Sequence, residues 1–370
     1  MRNISHKWTT FPFYNKIKET TKRPIKSSFK YNRNIYFSYL YYTCIYIKIQ
    51  ELMEGNMEIK IPRSFDLNQS LKFTLTLDKI PKDNKYVYDY GDLRTVEPFG
   101  MLLSSSKIRR FLCDNMEASH YDTNYEEKEY AAHMGYFQSV KLDYGKKPGE
   151  ARGNQNYIPL TAINIKDSYI EAVLNRGISI EKYIENEFAY KLAGILSREN
   201  PKIKKILVFC ITEIIRNVYD HSESEILWFS AQYWPSKDLV EIAILDEGKG
   251  IASTLKRNKK NHITNNEEAL FLCIKPGVSK SLEKKESHDI YSNKGFGLFM
   301  TSRICEIGGS FAICSGTNCL ILDNTGIKNK ECSFDGTAIR LRLNPSKLEG
   351  IKLSEIAKEG EELLSSVVKS

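Results

Sequence analysis

The stretch from Pro201 to His221 constrains the fold most, because it is strongly apolar and yet carries polar groups at a helical repeat. Ile206, Leu207, Phe209, Cys210, Ile214 and Ile215 predict a largely buried helix, and Pro201 suits its first turn. Glu213, Asn217 and His221 fall at i, i+4 and i+8, a polar stripe along one face. Burying such a stripe without partners is costly. It makes sense if the stripe lines a cavity that holds a cation and a polar ligand. Asn offers a hard oxygen suited to Mg²⁺, and a carboxylate one turn earlier can polarise a water or hydroxyl attacking a phosphate. Taken alone, Glu-x-x-x-Asn on a helix more often marks a solvent-facing surface.

Two further motifs follow in order. Ile226–Ala231 and Leu239–Leu245 read as a hairpin, and the second strand runs into Asp246-Glu247-Gly248-Lys249-Gly250-Ile251. This puts a carboxylate at the floor of a pocket, with two alternate glycines that let backbone approach a flat ligand. Such a carboxylate, accepting from an exocyclic amine, selects adenine; standing alone, the motif reads as a tight turn. The third motif, Asn293-Lys294-Gly295-Phe296-Gly297-Leu298-Phe299-Met300, opens a helix predicted to continue through Ile304 to Ile307. Glycines there present free N–H groups and the positive end of a helix to phosphate. Between the last two motifs, Ser253–Ser292 is polar with Lys and Asn clusters, in keeping with a lid, and Glu267–Ile274 within it reads as helical.

Together these residues resemble the histidine-kinase-like ATPase superfamily, over roughly residues 175–347. Its N box matches Glu213-Ile214-Ile215-Arg216-Asn217, its first glycine box Asp246-Glu247-Gly248-Lys249-Gly250, and its second Gly295-Phe296-Gly297-Leu298. Gly336-Thr337 matches a late Gly-Thr that precedes the last strand, here Ala338–Leu343. The resemblance implies ATP and Mg²⁺ as cofactors and a Bergerat-type α/β sandwich, a mixed sheet covered by helices. It also implies Glu213 as general base, Asn217 as metal ligand, and Asp246 with Thr337 on the adenine amine. Gly248, Gly250, Gly295, Gly297 and Leu298 would shape the lid and phosphate walls.

Charge separates this half from the start of the chain. The formal net charge is +8, but residues 1–56 hold ten Lys and Arg against three Glu, leaving only +1 to residues 57–370. A basic nucleic-acid-binding domain is therefore not indicated. The tail shows no helical or strand period, and Met53-Glu54-Gly55-Asn56-Met57 is compatible with Met57 as the start; a basic arm for membrane or RNA is the alternative reading. Ile35–Ile47 is too short and too polar to span a bilayer. The eight cysteines form no C-x-x-C pair, which suits reduced thiols in a cytoplasmic protein. Cys314, Cys319 and Cys332 lie close in sequence but lack a partnering His for a metal site.

Residues 57–165 read as a smaller α/β domain. Met57–Ile61 and Leu71–Leu77 alternate like strands, Met101–Leu112 has a helical period, and Tyr157–Ile165 is predicted to close the unit. Strand, acidic loop, glycine and helix in that order resemble the STAS domain of anti-sigma-factor antagonists. Glu97-Pro98-Phe99-Gly100 stands where phosphorylated members carry a serine turn, although Ser104, Ser105 and Ser106 follow. His133 reads as a packed histidine, and the Gly-rich loop 146–154 as a connection. Residues 166–200 are predicted to be a helical connector, 201–347 the ATP-binding domain, and 348–370 a terminal helix.

None of the six histidines lies in the His-acidic-x-basic-x-Pro setting of a phosphorelay kinase. Asn217-Val218-Tyr219-Asp220-His221 resembles the anti-sigma-factor serine-kinase branch more closely, which implies a protein partner as phosphate acceptor. An ATPase that dimerises on ATP binding and a nucleotide sensor without turnover remain as alternatives.

Overall fold

The computed structural model describes residues 57–198, 200–258, 261–278 and 295–369, excepting the side chains at 195, 221 and 367–369. The basic tail, the lid stretch after Val278, Asn293 and Lys294, and the His221 side chain lie outside the described residues. The chain is α/β, with one parallel and one antiparallel main sheet.

The parallel sheet comprises β1 (Met57–Lys60), β3 (Lys85–Asp89) and β5 (Ser119–Thr123) in the order β1-β3-β5. β2 (Ser64–Phe65) and β4 (Thr95–Val96) form a minor pair beside it. Parallel strands need crossovers, and two helices supply them: α1 (Leu67–Asp78) and α2 (Pro98–Asp114). Leu71–Leu77, expected as a strand, is therefore helical. Asp66 caps the helix by accepting from Gln69 N–H at 3.0 Å. Thr74, a polar position of the expected strand, and Ser70 just before it are buried and bond the carbonyls of Leu71 and Asp66. With Leu67, Leu71 and Leu77 they complete a buried helical stripe.

α2 begins at Pro98 and is buried continuously through Ser106. The Ser104 and Ser105 hydroxyls donate to the carbonyls of Gly100 and Leu102, at 2.6 and 3.1 Å. Burial closes all three serines of this helix to a modifying enzyme in the folded state.

The second sheet contains β6 (Tyr157–Asn164), β7 (Ile226–Trp234), β8 (Leu239–Asp246), β9 (Gly309–Asp323) and β10 (Gly326–Leu343). Its order is β6-β7-β8-β10-β9, and every pairing is antiparallel rather than mixed. Short turns join β7 to β8 and β9 to β10, which dictates antiparallel hairpins. The strand expected to close the N-terminal unit, β6, instead pairs with β7 at the edge of this sheet. On its outer edge Leu160 N–H donates to the Met134 carbonyl at 3.0 Å and the Leu160 carbonyl accepts from Gly149 N–H at 2.8 Å.

Both faces of the antiparallel sheet are covered. Along β8, Ile242 and Ile244 point into one core with α3 (Tyr190–Leu196), α4 (Pro201–Asn217) and α7 (Gly297–Gly308). Ala243 and Leu245 point the other way, into a core shared with α1, α2 and the parallel sheet. The period of two therefore runs through both hydrophobic cores. Between β8 and β9 lie α5 (Gly250–Leu255) and α6 (Asn266–Cys273). A C-terminal helix, α8 (Leu353–Lys369), docks through buried Ile356 and Ala357 and an Arg303–Glu359 ion pair of 3.0 Å. Among the described residues, no helix is long and apolar enough to cross a membrane.

Candidate functional site

α4 forms because Asn200 caps it, accepting from Lys202 and Ile203 N–H, and because Pro201 fits the first turn. Its apolar residues face the sheet, but Glu213 is buried with them at 2% exposure. The Glu213 carboxylate accepts from Arg216 Nη2 at 2.8 Å, one turn along the same helix. It also lies directly against the start of α7. A Cβ placed on Gly297 would stand 1.6 Å from Glu213 Oε2, so only glycine admits the carboxylate there. The positive end of α7 favours that negative group. Glu213 and the second glycine motif thus meet, across more than eighty residues of chain.

Asn217 ends α4 half-buried, and a π-helical turn, Val218–Ser222, follows it directly. The turn carries Ser222 to the second motif, where its carbonyl accepts from Lys249 N–H at 2.9 Å. The approach is close: a Cβ on Gly248 would sit 2.0 Å from that carbonyl oxygen. Ser222 was not signalled by any sequence pattern, because π-turns leave no periodic trace.

Asp246 is the last residue of β8 and is 2% exposed. Its Oδ1 accepts from Gly248 N–H at 2.9 Å, and the Thr337 side chain hydrogen-bonds to it as well. Thr337 is its register partner on β10, so the sheet itself fixes this pair. Burial pushes the Asp246 carboxyl up to about 6, against these hydrogen bonds, which pull it down. Gly250 adopts φ +72° and starts α5, while the adjacent Ile251 N–H donates to the buried Ser315 hydroxyl at 2.9 Å. Ser315 was likewise absent from the expected set.

Gly295 has φ +69°, and its carbonyl accepts from Gly277 N–H at 3.2 Å. Leu298, the second residue of α7, packs against the core. The expected residues therefore form two groups, Asp246–Thr337–Gly248 and Glu213–Arg216–Gly297, joined by the turn from Asn217 to Ser222. A separate concavity of about 500 Å³, lined by His262, Glu268, Phe271 and Lys275 among others, contains none of them.

Among the described residues, no three His, Cys, Asp or Glu side chains converge on a metal position. Cys314, Cys319 and Cys332 are buried and in mutual hydrogen-bonding contact, but they do not form such a group. Asn217 contributes a single neutral oxygen, and Mg²⁺ normally retains waters and takes substrate phosphates as its other ligands. Asp246 is a buried carboxylate that accepts from two fixed donors, Gly248 N–H and Thr337. The chain matches no known family model and no curated protein sequence.

Proposed function

We propose that residues 201–347 are an ATP-binding domain of the histidine-kinase-like superfamily, in a Bergerat-type arrangement. The preceding layer is STAS-like, and the protein acts in the cytoplasm as a regulator. ATP binds with Mg²⁺, and its γ-phosphate passes to water or to a partner protein. The observation that carries this reading is Asp246. It is buried at a strand end, bonded by Gly248 N–H and Thr337, and held in its site with a raised pKa that costs the fold stability. In this reading Asp246 accepts from the adenine amine, and Asn217 supplies an oxygen to the metal. The N–H groups at the start of α7 would face phosphate once the Glu213 carboxylate moves off Gly297. Bound Mg²⁺ would neutralise phosphate charge. Glu213 orients and deprotonates the attacking hydroxyl once its carboxylate leaves Arg216.

The retained carboxylate at Glu213 favours turnover over sensing, and the stretch after Asn217 favours a protein acceptor. The test is ATP binding and hydrolysis by the purified protein, beside Glu213→Ala and Asn217→Ala, with radiolabel followed from the γ-phosphate into protein. Turnover lost in Glu213→Ala with ATP still bound supports the catalytic reading, and label in a partner protein selects the kinase. Binding without turnover in the parent makes the domain a sensor. No ATP binding by the parent refutes the proposal.

A further inference from the structure

Asp246 and Glu247 are adjacent carboxylates that serve opposite sides of the antiparallel sheet. Ile242 and Ile244 show that even-numbered residues of β8 face α4 and α7, whereas Ala243 and Leu245 face α2. Glu247 continues the second series. Its Oε1 accepts from Ser106 Oγ and from Arg109 Nη2 of α2, each at 2.6 Å. Its own N–H donates to Ser224 Oγ at 3.3 Å. Arg109 is itself fixed, with a side chain only 12% exposed. Its Nη1 donates to the Ser139 carbonyl at 3.1 Å, and its guanidinium stands 4.0 Å over the Trp228 ring. Trp228 is the register partner of Leu245, one residue before Asp246.

We propose that Arg109 and Ser106 are positioning residues for Asp246, acting through Glu247, so that the N-terminal α/β layer completes the adenine-reading end of the nucleotide site. This rests on the ATP-binding reading above. The turn 246–249 is held on one side by Thr337 at Asp246 and by the Ser222 carbonyl at Lys249, and on the other by α2. Releasing the second hold lets the backbone at 246–248 relax, and the carboxylate loses its fixed direction toward the base. Phosphate contacts, which lie with α7 and α4, are unaffected. A role limited to gluing the layers together would instead weaken all nucleotides alike.

The experiment measures Kd for ATP and for GTP with Mg²⁺ by full-length parent, Arg109→Ala, Arg109→Lys, Ser106→Ala and Glu247→Gln. Urea midpoints are recorded for each. Arg109→Ala is expected to weaken ATP about 10-fold with little change for GTP, collapsing the ATP preference by the same factor. Ser106→Ala should lose about 3-fold, and Arg109→Lys should recover part of the preference. Ser106→Ala and Glu247→Gln serve if Arg109→Ala does not fold, since they delete one hydroxyl and one charge only. A parent that does not bind ATP refutes the nucleotide reading and this inference with it. A parent that binds ATP, with folded variants of unchanged ATP-to-GTP ratio, refutes this inference alone.

Discussion

Truncating Glu241 to Ala tests how the two sheets are held together. Glu241 is fully buried on β8. Oε1 accepts from Phe99 N–H at 3.1 Å, in the first turn of α2, and Oε2 accepts from Arg340 Nε at 2.9 Å. Arg342 Nη1 lies 3.4 Å away and is shared with Glu97, at 3.1 Å. Arg340 is 5% exposed in the parent, and besides Glu241 its guanidinium bonds, among the described residues, Ser310 Oγ at 3.5 Å. Removing one partner of a buried ion pair costs about 3–5 kcal/mol. The orphaned Phe99 N–H adds about 1 kcal/mol or more, while Glu97 offsets part of the loss by holding Arg342. The expected total is about 4 kcal/mol, a large share of the roughly 5–15 kcal/mol by which a domain is stable.

The assay is urea unfolding followed by tryptophan fluorescence, since Trp234 lies 5.6 Å beneath the Arg342 guanidinium and reports on this region. The midpoint should fall by about 1 M or more with an unchanged m value. Glu241→Met combined with Arg340→Met should recover most of that loss, because a buried pair replaced by apolar groups of similar volume is close to neutral. A single variant within about 1 kcal/mol of the parent, or a double variant no better than the single, would refute the reasoning.

Three further outcomes follow from other parts of the fold. Burial lifts Asp246 from 3.8 to about 6, so the folded state binds that proton more tightly than the unfolded state. Its stabilisation is complete below pH 4 and lost as pH rises through 6, about 3 kcal/mol in all; urea midpoints of the parent and Asp246→Asn should diverge over that window, in favour of Asn, and a constant difference refutes the assignment. Gly297→Ala puts a Cβ 1.6 Å from Glu213 Oε2, so the carboxylate must move. The cost is about 1–3 kcal/mol of stability and, on the ATP reading, about 10²-fold in turnover; unimpaired hydrolysis would exclude Glu213 as the base. Iodoacetamide on the native protein should label exposed Cys113, and should reach buried Cys210, Cys273, Cys305, Cys314, Cys319 and Cys332 only in denaturant. Burial pushes the Cys210 and Cys273 thiols up to about 12; rapid native labelling of these two, read by mass spectrometry, contradicts the packing described.

Local signals were the legible ones. α4, the β7–β8 hairpin and α7 each carry their own period and end signals, so they are found where the sequence predicts them. Asp246 was legible because it follows an apolar strand and precedes two alternate glycines. α1 was misread because Lys72, Thr74 and Thr76 alternate with apolar residues as in a strand, whereas Thr74 is buried with its hydroxyl on the helix's own Leu71 carbonyl. β6 carries a good strand pattern, but pattern alone does not say which sheet receives it. Arg216 lies within the recognised motif, and its i, i+3 spacing from Glu213 permits the ion pair found. Ser106 and Arg109 carry no such signal: they reach Glu247 across about 140 residues, and only the folded layers bring them there.

The placement of α2 follows from the strand beneath it. Glu241, Ala243, Leu245 and Glu247 form one face of β8 and its extension, two carboxylates flanking two apolar residues. Glu241 takes the N–H of Phe99 at the start of α2, and Glu247 takes Ser106 and Arg109 further along. Six residues of strand span about 20 Å, and the ten from Phe99 to Arg109 span about 15 Å of helix. Ser106 and Arg109, one turn apart, both reach the same Glu247 oxygen at 2.6 Å, and the arginine adds a charge to that hold. The helix is thus pinned at both ends of its contact with β8, and the distal pin falls on the residue next to Asp246. A fold that needed only to join two layers would be served by the apolar pair and the first carboxylate. The second ties α2 to the residue next to Asp246, the contact on which the proposed positioning of that carboxylate rests.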